Sequence, residues 1–66
     1  NSLEKEEFIV FKIKNDEMIN LFLEDDKLKN LIIRAEGRRI LVEEKDKRKF
    51  LNALKEKGVF ISIENG

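Results

Sequence analysis

Cysteine, histidine, proline, threonine, glutamine, tyrosine and tryptophan are all absent from this 66-residue chain. Without cysteine there is neither a disulfide framework nor a thiolate zinc site, and without histidine the other common zinc ligand is missing. Any bound metal would be a hard ion such as Ca²⁺ or Mg²⁺, held by oxygen ligands. Asp25 and Asp26 are not followed by a glycine-punctuated ligand loop. We therefore predict no metal site and no cofactor.

Residues suited to catalysis are equally scarce. The only hydroxyl side chains are Ser2 and Ser62, and no histidine or cysteine is present to activate them. Nucleophilic catalysis is not expected from such a set, so we predict a non-enzymatic protein. The three glycines stand singly, at Gly37, Gly58 and Gly66, which excludes a glycine-rich phosphate loop. No small-molecule substrate is expected.

Neither an excess of one charge nor a long hydrophobic run is present. Lysine plus arginine equals aspartate plus glutamate, at 14 each, so no overall field draws the chain towards DNA or an anionic membrane. The longest apolar run, residues 8–11, is far shorter than the ~20 residues of a membrane span. These features predict a soluble, cytoplasmic protein. Lys and Glu enrichment is also reported for hyperthermophiles, although an AT-rich genome favours Lys, Asn, Ile and Phe as well.

The length and the hydrophobic pattern predict one small domain over residues 1–66, in which residues 1–6 form a flexible N-terminal tail. Apolar residues mostly alternate with period two, which is typical of half-buried strands. Only Phe50, Leu51 and Leu54 follow helical spacing. The predicted strands cover residues 7–14, 17–24, 30–36, 38–44 and 59–64, and the helix covers 46–57. This β-β-β-β-α-β order predicts an α+β fold, a small curved antiparallel sheet or partial barrel with one helix packed on it.

The predicted sheet has apolar residues on both of its faces. The core face comprises Ile9, Phe11, Ile13, Ile19, Leu21, Leu23, Leu31, Ile33, Ile40, Val42, Val59, Ile61 and Ile63, with Phe50, Leu51 and Leu54 from the helix. The opposite face comprises Phe8, Val10, Met18, Phe22, Ile32, Leu41 and Phe60. A fully solvated face would be nearly all polar.

Three interpretations account for the second apolar face. The sheet curls and buries it, or it packs against a second copy or another protein, or its aromatic residues stack on bases. We favour a protein-interaction or assembly module, homodimeric or part of a larger complex. The alternative is a single-stranded nucleic-acid-binding protein that uses Phe8, Phe22 and Phe60. A third candidate is a small inhibitor or accessory protein that presents the acidic segments at residues 4–7 and 25–26.

Basic residues are concentrated near the helix. Lys47, Arg48 and Lys49 occupy its first turn, where the free N–H groups already make a positive pole. With Arg38 and Arg39 they are predicted to meet where the fourth strand joins the helix. The full set of candidate residues for a phosphate or an acidic partner is Lys12, Lys14, Arg34, Arg38, Arg39, Lys47, Arg48 and Lys49. The other interpretation is a solvated edge of mixed charge, because Glu43, Glu44 and Asp46 are adjacent.

Residues 28–58 read LKNLIIRAEGRRILVEEKDKRKFLNALKEKG. This segment resembles the last two strands and closing helix of bacterial pleckstrin-homology-like domains, in which a hairpin and a short linker lead into an F-L-x-x-L helix. The resemblance covers less than half of the chain and implies a non-catalytic interaction or assembly module. The order of four strands and a helix is also similar to half of the Whirly and PUR-type single-strand binders, which dimerise.

Overall fold

A computed structural model describes residues 7–61. Five regular elements and one short 3-10 turn, Glu44–Asp46, follow one another along the chain. The strands are β1 (Phe8–Lys12), β2 (Ile32–Ala35) and β3 (Arg39–Glu43), and the helices are α1 (Asp16–Glu24) and α2 (Lys47–Glu56). The sheet order is β1-β3-β2, and both pairings are antiparallel.

The α+β class and the antiparallel sheet are confirmed, whereas the predicted order of strands is wrong. The segment predicted as the second strand is helix α1, so a second helix joins the one that was expected. Residues 59–61 are not a strand. The remainder of the predicted last strand, residues 62–64, and the predicted tail, residues 1–6, lie outside the described residues.

Helix α1 forms because its start carries stronger local signals than its apolar alternation. The Asn15 side chain accepts a hydrogen bond from the Met18 backbone N–H at 2.9 Å, and two acidic residues follow in the first turn. Such a cap supplies an acceptor for a free N–H, and the acidic residues suit the positive pole. The helix buries Ile19 and Phe22, three residues apart, and leaves Leu21 exposed. The strand prediction had placed Leu21 inside and Phe22 outside.

The hairpin of β2 and β3 matches its predicted position. Its turn has a positive φ at two successive residues, 70° at Gly37 and 60° at Arg38. Glycine adopts this region without cost, but arginine does so with strain. Contacts to the β1–α1 connection hold Arg38 there. Its carbonyl accepts from the Ile13 N–H at 2.7 Å, and its Nε lies 3.4 Å from Asp16 Oδ1.

Helix α2 also matches its predicted position and ends in a left-handed residue. Gly58 has a φ of +73°. Its N–H donates to Lys55 O at 3.0 Å, and the Val59 N–H donates to Leu54 O at 2.9 Å. This is the pair of hydrogen bonds of a Schellman motif, which reverses the chain at a helix end. Residues 59–61 therefore turn back beside α2 and do not extend the sheet.

One apolar core lies between the sheet and the two helices. Three aromatic rings form its centre: Phe50 lies 5.1 Å from Phe11 and 6.3 Å from Phe22, centroid to centroid. The core residues of the described chain are Phe11, Ile13, Ile19, Phe22, Leu28, Ile32, Ile40, Val42, Phe50, Ala53 and Leu54. Leu28, which was not predicted to be in the core, is fully buried. The prediction for Ile33 is wrong, since this residue is 52% exposed.

Candidate functional site

The sheet has one face towards the core and one face away from it, here called the outer face. Strand register places Val10 opposite Leu41 and Leu41 opposite Ile33, so these three side chains form one apolar row across all three strands. The residues on either side of Leu41 in β3, Ile40 and Val42, point to the other face. They are fully buried in the core cluster that also contains residues of both helices. Residues 7–61 thus cover one side of the sheet and leave the outer face open.

Of the seven residues predicted to share the second face of the sheet, three lie on the outer face. Phe8, Val10 and Leu41 lie on the outer face, where Phe8 is 38% exposed. Phe22 and Ile32 were predicted to be outward and are instead buried. Two further predicted members lie away from the sheet face: Met18 packs against the core from α1, and Phe60 lies beside α2.

Sequence reasoning missed Ile33 because β2 carries apolar residues on both faces. Alternation across Leu31, Ile32 and Ile33 cannot choose which of them faces inward. The pairing of Ile32 with buried Val42 settles the register and turns Ile33 outward. A signal was available in the hairpin turn: once its position is fixed, the cross-strand pairs follow from it.

The three aromatic residues of the predicted base-stacking platform do not share a surface. Phe8 is on the outer face, Phe22 is 2% exposed in the core, and Phe60 is 78% exposed at the side of α2. A stacking platform needs successive accessible rings along one groove. Among residues 7–61, the outer face offers a single ring, and its other apolar side chains are aliphatic.

Charged residues of the outer face lie on both sides of the apolar row, towards the two ends of the strands. Lys12 and Arg39 are paired in register at one end, and Glu43, opposite Phe8, lies at the other. The Glu43 carboxylate lies 3.7 Å from Lys45 Nζ, so the outer face has two cations on one side of the row and a paired carboxylate on the other.

The predicted basic patch divides into two groups, at opposite ends of β3. Lys12, Lys14, Arg34, Arg38 and Arg39 lie near the hairpin turn, before or at the start of β3. Acidic residues are mixed into that group, since Asp16 and Glu36 line the same shallow depression as the arginines at positions 34 and 38.

The second basic group, on α2, is itself split between two sides of the helix. Lys47 and Arg48 line a groove with Lys55 and Phe60. Lys49 lines a separate depression on the other side of α2. Lys47, Arg48 and Lys49 were predicted to form one patch because they are consecutive in the sequence. Successive residues of a helix are, however, about 100° apart around its axis.

Asp25 has a structural role at the end of α1. Its Oδ1 accepts hydrogen bonds from the backbone N–H groups of Lys27 and Leu28, at 2.9 and 3.0 Å, and its Oδ2 lies 2.6 Å from Lys57 Nζ. The Lys57 ammonium first and then the backbone donors lower the pKa of Asp25 from 3.8 to about 2. Through these contacts the Asp25 carboxylate links the loop after α1 to the C-terminal end of α2.

We expect the ionisation of Asp25 to make the free energy of unfolding vary with pH in the acid range. Because its pKa is lowered in the folded state, its stabilising effect is full above pH 3.8 and is lost as the pH falls towards 2. Asp25→Asn should therefore be less stable than the wild type at about pH 7, and the difference should shrink below about pH 4. Urea unfolding at a series of pH values measures this.

The control for this prediction is Asp26→Asn. The Asp26 side chain is 94% exposed and pairs with Lys29 at 3.3 Å, so its replacement should change stability little at any pH. A difference between Asp25→Asn and wild type that stayed constant down to about pH 2 would contradict the role assigned to the carboxylate.

Within the described part of the chain, no three acidic side chains come together in a way that could hold a metal ion. No helix in residues 7–61 has the length and apolar character needed to cross a membrane. Comparison with family models, with curated proteins and with solved structures gave no match.

Proposed function

We propose that this domain is a non-enzymatic protein-interaction module that associates through the outer face of its sheet. The observation that supports the proposal is the apolar row of Val10, Leu41 and Ile33, which spans the three strands of the described chain and lies opposite the core. A contiguous apolar patch on a protein surface marks an interaction site more often than single exposed apolar residues do.

A second copy of the chain fits this face. Consider a two-fold axis that runs along the apolar row. It stacks each residue of the row on its own counterpart, and it places the Lys12 and Arg39 end of one copy over the Glu43 and Phe8 end of the other. Opposite charges then face each other at both ends, as electrostatic complementarity requires. A two-fold axis parallel to the strands would instead place like ends together.

The size of the face predicts weak association. Three strands about 4.8 Å apart and about five residues long give a surface of roughly 15 by 17 Å. This is smaller than the ~800 Å² per partner that stable complexes bury. We therefore expect a reversible dimer with a dissociation constant between about 10 µM and 1 mM.

Sedimentation velocity tests the proposal. The wild-type protein should increase in mean mass as its concentration rises from about 10 µM to about 1 mM. Ile33→Lys should remain monomeric over the same range, because it places a charge in the desolvated row, and the two-fold axis stacks position 33 of one copy on position 33 of the other. Ile33 is 52% exposed and lies in an edge strand, so the folded protomer should tolerate the substitution.

Leu21→Lys is the matched control. Leu21 is 64% exposed on α1, away from the outer face, so the same change in charge there should leave self-association intact. Equal behaviour of the two variants would contradict a dimer formed through the outer face. A wild-type protein that stayed strictly monomeric up to about 1 mM would overturn self-association.

A further inference from the structure

The groove beside α2 is distinct from the outer face of the sheet. It has a volume of about 500 Å³, and its lining combines cations with apolar side chains. The residues that give it this character are Lys47, Arg48, Leu51, Lys55, Val59 and Phe60. We call this surface the α2 groove.

The C-terminal end of α2 gives the groove its second wall. The left-handed Gly58 and the hydrogen bond from the Val59 N–H to Leu54 O send the following residues back along the helix. Val59 and Ile61 pack against the core from that position, while Phe60, between them, is 78% exposed. An exposed phenyl ring therefore stands across the groove from the helical cations.

Charge distinguishes the α2 groove from the other two depressions described on this surface. Among the residues that the structure describes, three cations and no acidic side chain line it. The depression that contains Lys49 also contains Asp26 and Glu56, and the depression at the hairpin turn contains two acids and two arginines. Although the formal net charge of the chain is zero, the described lining of the α2 groove is locally positive and partly apolar.

We propose that the α2 groove binds an acidic amphipathic segment of a partner protein. Lys47, Leu51 and Lys55 are spaced four residues apart, so a cation, an apolar side chain and a cation follow one another along one side of α2. A complementary segment presents apolar side chains to Leu51 and Phe60 and carboxylates to the flanking cations. A nucleic acid would use the cations but find only one ring for stacking, so the peptide uses more of the surface.

This proposal is independent of the proposed function, because the outer face and the α2 groove share no residue. Ile33→Lys should therefore bind the probe described below as well as the wild type does. The two proposals can fail separately.

Fluorescence anisotropy with a labelled peptide tests the groove. The probe is a helical peptide of about twenty residues with leucines at i, i+3 and i+4 spacing and glutamates beside them. We expect binding with a dissociation constant of about 10 to 100 µM that weakens as salt is added. Lys47→Glu and Phe60→Ala should each weaken binding about tenfold or more, because they remove a cation and the exposed ring respectively.

Lys49→Glu is the matched control for charge, since it makes the same substitution in the same helical turn but outside the groove. It should change the affinity less than about twofold. Leu21→Ala, a truncation of another exposed apolar residue, is the control for Phe60→Ala.

Several outcomes would overturn the proposal. These are no binding of the peptide, equal binding of a peptide with lysines in place of the glutamates, and equal loss in Lys47→Glu and Lys49→Glu. Tighter binding of a labelled single-stranded oligonucleotide, with the same loss in Lys47→Glu, would identify a nucleic-acid groove instead. Self-association that depends on Lys47 would identify a second copy as the occupant.

Discussion

Phe50→Ala is expected to remove about 3 to 5 kcal/mol of stability, the usual cost of truncating a fully buried phenylalanine. Phe50 has no exposed surface, and its ring contacts those of Phe11 and Phe22. At 0.05 to 0.15 kcal/mol per residue, a chain of this length has roughly 3 to 10 kcal/mol in total. The variant should therefore lose at least about 30% of its stability.

Urea unfolding followed by far-ultraviolet circular dichroism measures this loss, because the chain has no tryptophan or tyrosine to report by fluorescence. Phe60→Ala is the control, since a side chain that is 78% exposed should cost no more than about 0.5 kcal/mol. Similar midpoints for the two variants would show that the aromatic centre of the core is wrongly assigned.

Leu28→Ala is expected to cost about 2 to 5 kcal/mol, although Leu28 lies in the loop between α1 and β2. Its side chain is fully buried in the core. The Asp25 carboxylate holds the loop in place by accepting the Leu28 N–H at 3.0 Å, so the residue cannot move to refill the space. The same unfolding experiment provides the measurement.

Leu21→Ala, in the neighbouring helix, is the comparison for Leu28→Ala. Leu21 is 64% exposed and should change stability by about 0.5 kcal/mol or less. A loss at position 28 no greater than the loss at position 21 would mean that the loop does not contribute to the core.

Sequence reasoning succeeded where short-range signals determine the structure. Gly37 marks the hairpin turn, Gly58 marks the end of α2, and the Phe50, Leu51 and Leu54 stripe marks the helix between them. Each signal involves residues within one turn of the chain. These features were therefore predictable without knowledge of the tertiary structure.

The prediction failed at α1 because the apolar residues of segment 17–24 fit both the two-residue period of a strand and the 3.6-residue period of a helix. Ile19, Leu21 and Leu23 alternate as in a strand, but Met18, Ile19, Phe22 and Leu23 form a helical stripe. The cap at Asn15 and the acidic first turn decide in favour of the helix. Weighing those signals above the alternation would have predicted α1.

The candidate surfaces were less predictable than the fold. Phe8, Val10 and Leu41 were placed correctly on the outer face, where they share their strand faces with the charged residues Lys12, Arg39 and Glu43. The α2 groove could not be derived, since it depends on the reversal at Gly58 that places Phe60 in the same groove as Lys47. Proximity of that kind comes from tertiary structure and leaves no local pattern.

The central position of β3 also sets an order for folding. β3 reaches β2 across the short turn at Gly37, whereas β1 must return to it across α1 and the whole hairpin. Closing a longer loop costs more chain entropy, and an isolated hairpin forms within about 1 to 10 µs. Capture of β1 by an already paired β3 is thus the step expected to set the folding rate.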